Sequence, residues 1–124
     1  MTAQAMVALV EACRQELDEV GYCVIPGALC GEDLEATQRA LDRAAAEDNA
    51  RGVALRYGPN GANQRLWALL NRGEEFVRLA MHPLGLAIVR SGLGPGIQLS
   101  NLSANITGPG GDHEIGRLHT DQGF

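Results

Sequence analysis

Near its C-terminal end the chain reads Leu118-His119-Thr120-Asp121. In an extended strand, residues two apart point to the same face. His119 and Asp121 would then offer an imidazole nitrogen and a carboxylate oxygen to a single metal ion. Two His and one carboxylate on one face of an octahedral ion form the facial triad of non-haem Fe(II) oxygenases, which leaves open positions for a cosubstrate and dioxygen. By itself the pair is a weak signal, since a surface or hydrogen-bonded His–Asp pair satisfies the same letters. A Zn²⁺ site in a hydrolase is the other metal reading.

Further residues could complete such a site. His113 lies six residues before His119 in a polar, Gly-rich stretch, and reads as a loop His rather than a third ligand. His82 precedes Pro83 and reads as a helix-junction residue. Arg117 shares the expected face of His119 and Asp121, where an outer salt bridge competes with contact to an anionic substrate. Ser103, Asn105 and Thr107 alternate with Leu102, Ala104 and Ile106, giving a half-buried strand. If the polar side of that strand faces a pocket, Ser103 and Asn105 could hydrogen-bond a cosubstrate; if it faces solvent, they are plain surface. Trp67, with Tyr57 in the loop before it, reads as packing, with cover over a pocket mouth as the alternative.

The elements that must position these groups follow from periodicity. Met6, Val10, Cys13, Leu17 and Val20 recur at steps of three and four, predicting a helix over 2–20 that Gly21 ends. Tyr22-Cys23-Val24-Ile25 is apolar and β-prone before Pro26-Gly27, predicting a short strand. A second helix is expected over 32–50, with Leu34, Thr37, Leu41 and Ala44 or Ala45 inward and Glu32, Asp33 and Glu35 at the positive end of its dipole. Residues 51–63, rich in Gly with Pro59 and Asn60, read as loop. Helical patterns resume over 64–70 and 74–81. A further helix opens at Pro83 and stops at the Gly92–Gly96 cluster. Strands are thus expected late. The whole reads as one α+β domain, incomplete, with residues 1–96 mainly helical and 97–124 carrying strands and the His-x-Asp motif.

Composition narrows the classes. The 124 residues hold ten basic side chains, all Arg, and fifteen acidic ones, for a net charge of −5. Such a surface argues against nucleic-acid and anionic-membrane binding, both of which need a cationic footprint. No apolar run of about 18 residues is present to span a bilayer. The N-terminal stretch lacks the basic start of a signal peptide. Three cysteines (Cys13, Cys23, Cys30) without metal-ligand spacing favour free thiols and a cytoplasmic location. Cys13 reads as a buried apolar residue, and Cys30, near a helix start, as the one candidate reactive thiol.

Three stretches resemble the amino-terminal part of the phytanoyl-CoA dioxygenase family, which are Fe(II)- and 2-oxoglutarate-dependent oxygenases. They are Gly21 to Leu29 with the acidic helix after it, Ser100 to Pro109, and Leu118 to Phe124. The resemblance implies a double-stranded β-helix, a jelly-roll or cupin-like barrel, with the helices packed outside it. It matches His119 and Asp121 to the first two iron ligands. It also implies that a distal His and the Arg that grips 2-oxoglutarate lie further downstream, where only Gln122, Gly123 and Phe124 follow the motif here. Asp121 implies hydroxylation of a small organic or acyl substrate, since halogenating relatives resemble the pattern with a small residue in place of the carboxylate. This portion alone is then expected to be inactive, and the oligomeric state stays open. A reading from another class is a non-catalytic helical module that pairs with a partner through an open sheet edge.

Overall fold

Thr2 begins the first helix in the way its side chain dictates. In the computed structural model, which describes residues 2–110, its hydroxyl accepts a hydrogen bond from the Ala5 amide at 3.2 Å. Helix α1 runs Ala3–Val20. It ends where Gly21 takes a left-handed φ of 85° and donates its N–H to the Leu17 carbonyl. Helix α2 spans Gly31–Ala50 with Glu32 and Asp33 in its first turn. Helices α3 (Glu74–Ala80) and α4 (Pro83–Leu93) follow. Pro83 opens α4, and the His82 Nδ1 caps it by accepting from the Gly85 amide at 3.4 Å. Four of the five expected helical segments form, with ends within a residue or two of those read from the sequence.

The strands correct that reading. Residues 51–63 are not simply loop, and 64–70 are not helical. Leu55–Tyr57 (β1) and Asn63–Leu66 (β2) make an antiparallel hairpin, with β3 (Ala104–Ile106) antiparallel on the other side of β2. The connection contains Gly58, Asn60 and Gly61, all at positive φ, so Gly and Asn supply the left-handed backbone the reversal needs. Leu66 is then followed by a 3₁₀ turn, Leu69–Asn71, whose Leu69 amide bonds the Leu102 carbonyl at 3.0 Å. Gly108 closes tightly over the hairpin, where a Cβ would strike the Ala62 carbonyl oxygen.

The second correction concerns residues 22–25. They join no ladder among the described residues. Cys23 and Ile25 pack instead against Cys13, Leu84 and Ile88 between α1 and α4, while Tyr22 and Val24 are exposed. The apolar pattern was real, but its partner is a helix pair and not a sheet.

The main core lies between the sheet and α2. Ala40 and Ala44 of α2, Leu66 of β2, Leu69 and Phe76 are buried together, with Leu102, Ala104 and Ile106 packed on them. The alternation expected for 102–107 is therefore met on its apolar side. Leu66 and Phe76 are 0% and 1% exposed, and burial of each stabilises by about 1.5–3 kcal/mol. Small residues on α2 let the helix come close to the strands. The architecture among the described residues is thus α+β: four helices and an open three-stranded antiparallel sheet, with no barrel.

Candidate functional site

The sheet has two unlike faces. The face toward α2 carries Gln64, Leu66, Ala104 and Ile106, with Gln64 paired to Ile106 and Leu66 to Ala104. Gln64 is buried and satisfied there, donating to the Ala45 carbonyl at 3.2 Å and accepting from Asn49 at 3.2 Å. Asn49 also accepts from Arg56 at 2.8 Å, so a polar clamp joins the end of α2 to the hairpin.

The opposite face carries a row of polar and aromatic side chains. Register places Leu55 across from Arg65, Tyr57 across from Asn63, and Arg65 across from Asn105. Directly opposed residues share a face, so Tyr57, Asn63, Arg65 and Asn105 project from one side. Asn63 is only 1% exposed. The Tyr57 hydroxyl and the Arg65 Nε are shut off from solvent and make no hydrogen bond among the described residues. The Arg65 guanidinium lies over the Trp67 ring, 4.0 Å from its centroid. Trp67 itself is about half exposed, so it supports a cation more than it fills a core.

Of the residues anticipated for cosubstrate binding, Asn105 is exposed on this outward face, opposite Arg65. Ser103 is half-buried just before β3. His119 and Asp121 lie outside the described residues, as do His113 and Arg117. Among the described residues no group of three His, Cys, Asp or Glu side chains converges in a way that could hold a metal. His82 serves as a helix cap, in keeping with its reading as a junction residue. The thiols are free: Cys13 is buried, Cys23 half-buried and Cys30 exposed at the start of α2. Burial pushes the Cys13 thiol up, and a hydrogen bond with Cys23 adds to that.

Sequence reasoning passed over Arg65 because 64–70 was read as helical, and over Asn63 because it was read as the end of the 51–63 loop. A signal was present: Gln64 and Leu66 alternate with Asn63, Arg65 and Trp67, immediately after an Asn-Gly turn. The second concentration of buried charge is structural. Arg72 donates to both Asp48 oxygens, at 2.7 and 2.8 Å, and to the Ala44 carbonyl at 3.1 Å. Hydrogen bonding from Arg72 holds the Asp48 carboxyl below the usual carboxylate range, and the same bond raises Arg72.

Comparison with known proteins gives one informative match. The chain is 32% identical over 116 residues to a protein named dioxygenase af480 from Aspergillus fumigatus. The match takes in 91% of this chain and 37% of that relative, so the chain spans little more than a third of the relative's length. No family model matches, and no solved structure does so significantly. No described helix is long and apolar enough to cross a membrane. Over most of its length, then, the sequence is similar to part of a dioxygenase.

Proposed function

We propose that this chain supplies the helical and first-strand portion of an Fe(II)- and 2-oxoglutarate-dependent dioxygenase of the phytanoyl-CoA dioxygenase kind, acting on a small organic or acyl substrate. The observation that carries the reading is the similarity to a dioxygenase across 91% of the chain. It is supported by a His and an Asp two residues apart downstream of β3, and by a polar sheet face on the side away from the helices. By donor type, His119 and Asp121 suit a ferrous ion, which prefers nitrogen and carboxylate oxygen over thiolate. When bound, such an ion with 2-oxoglutarate and dioxygen supplies the oxidising power for C–H hydroxylation. The described residues contribute a wall: α2 and α3 brace one side of the sheet, leaving Tyr57, Arg65 and Asn105 to present donors and acceptors on the other. In this reading the sheet is the first part of a jelly-roll barrel whose remaining strands come from further chain.

Anaerobic addition of Fe(II) and 2-oxoglutarate to the gene's full product tests this. A visible charge-transfer band that disappears in His119→Ala and Asp121→Ala is the expected result. A full product that gives no band, or one indifferent to both substitutions, overturns the proposal.

The unpaired outer edges of β1 and β3 among the described residues favour a second reading, a module that adds its sheet to a partner's. Gel filtration at rising concentration separates the two, since a monomer with no partner-dependent ordering counts against the module.

A further inference from the structure

We propose that Arg65, held on Trp67 and facing Asn105, forms with Tyr57 a binding subsite for a carboxylate. Arg72, Arg43, Arg39 and Arg14 are each paired with an acidic side chain, and Arg56 donates to Asn49 and to the Gly61 carbonyl. Arg65, like Arg51, Arg78 and Arg90, has no carboxylate within salt-bridge distance among the described residues, and what sets it apart is its stacking on an aromatic ring together with a buried Nε. Its Nε is closed to solvent without an acceptor among the described residues, and the Tyr57 hydroxyl on the same face is in the same condition.

Buried donors without acceptors are uncommon in folded proteins, and a site shaped for an incoming acceptor is one place where they persist. The ring beneath the guanidinium fixes its plane, so little orientational freedom remains to be lost when a ligand arrives. A planar fork of N–H donors matches the two oxygens of a carboxylate. The neutral Asn105 amide opposite Arg65 leaves the positive charge uncompensated among the described residues while adding a donor of its own. The chain's net charge of −5 gives no long-range pull on anions, so recognition must be local.

Two carboxylates fit this chemistry, that of 2-oxoglutarate and that of an acidic substrate. Assigning either one rests on the dioxygenase reading, whereas carboxylate binding itself does not. Trp67 is the sole tryptophan of the sequence and lies under the cation concerned, which makes its emission a local reporter. The metal-free chain is titrated with 2-oxoglutarate in one arm and octanoate in the other, with chloride at matched ionic strength as control.

The expected result is a saturable change in Trp67 emission with at least one carboxylate and none with chloride. Saturation by 2-oxoglutarate alone assigns the cosubstrate, and saturation by octanoate alone assigns the substrate. Arg65→Gln should weaken binding about ten-fold or more, and Arg65→Lys by less. Asn105→Asp, an isosteric change at an exposed position, should also weaken it by placing a competing carboxylate opposite Arg65. The proposal is overturned if neither carboxylate saturates, or if Arg65→Gln and Asn105→Asp both titrate like the parent chain. Because no metal is present, such a failure is distinct from loss of the ferrous charge-transfer band.

Discussion

Arg72 grips Asp48 through two hydrogen bonds, at 2.7 and 2.8 Å, across 24 residues of sequence. The pair joins the 3₁₀ turn after β2 to the last turn of α2, and both side chains are largely withdrawn from water. A two-point ion pair with a third bond to the Ala44 carbonyl fixes the turn that sets β2 against the helix. The sheet face bearing Arg65 is thus held in place from behind.

Breaking that pair should be costly. Arg72→Ala leaves the Asp48 carboxylate buried without its partner, a change that typically destabilises by about 3–5 kcal/mol. Arg72→Lys should recover only part of the loss, because an ammonium cannot meet both oxygens. Urea unfolding of the two variants against the parent chain measures the difference.

The same contact sets a pH dependence. Arg72 lowers the folded-state affinity of Asp48 for a proton. A carboxyl depressed on folding contributes stability that is present above its unfolded value, and that is lost as pH falls through the folded one. Stability should therefore drop on acidification below the ordinary Asp range, and Asp48→Asn should flatten that part of the profile. Thermal melts from pH 7 downward, with the variant alongside, check the sign.

Leu66 offers a test of the hairpin itself. It is fully buried against Ala40, Ala44, Leu69 and Phe76. Leu66→Ala should cost about 2–5 kcal/mol through lost burial and the cavity left behind. Leu70, partly exposed just beyond the strand, should cost far less when truncated in the same way. Equal losses at the two positions in denaturant titrations would contradict the β2 assignment, since a helix over 64–70 puts these residues, four apart, on one face.

The helices were legible because each carries a 3.6-residue apolar pattern and a marked end: Thr2 and Gly21 for α1, the acidic first turn for α2, Pro83 and Gly94 for α4. The hairpin was not. Leu55-Arg56-Tyr57 is too short to show a period, and Asn63-Gln64-Arg65-Leu66 has no β-branched residue. One of its two inward positions is a glutamine, made acceptable only by Asn49 and the Ala45 carbonyl 15 and 19 residues away. Tertiary contacts decide that strand, and with it the place of Arg65. The short strand expected at 22–25 failed for the complementary reason: its apolar residues find α1 and α4 before any strand edge.

The three thiols should react in the order of their surroundings. Cys30 is exposed, Cys23 half-buried, and Cys13 buried with its thiol pushed up. Since the thiolate is the nucleophile, burial and the raised value both slow Cys13. Timed iodoacetamide labelling with peptide mass mapping should find Cys30 modified first and Cys13 last. Early labelling of Cys13 would show that α1 separates readily from α4.

Iron gives the last expectation. In the proposed dioxygenase reading His119 and Asp121 would supply two ligands, and in these 124 residues only Gln122, Gly123 and Phe124 follow them, with neither a His nor an Arg. Among the described residues no group of three His, Cys, Asp or Glu side chains converges to hold a metal in their place. A site with two protein ligands gives up much of the binding energy and geometric control of a facial triad. The 124-residue chain with added Fe(II), 2-oxoglutarate and dioxygen should therefore release no succinate above a protein-free control. Turnover by this chain would mean that the missing donors come from within it, with His113 the first to replace by Ala. A His113→Ala variant that lost that turnover would move the third ligand upstream of the motif, and the downstream His implied by the family resemblance would no longer be needed.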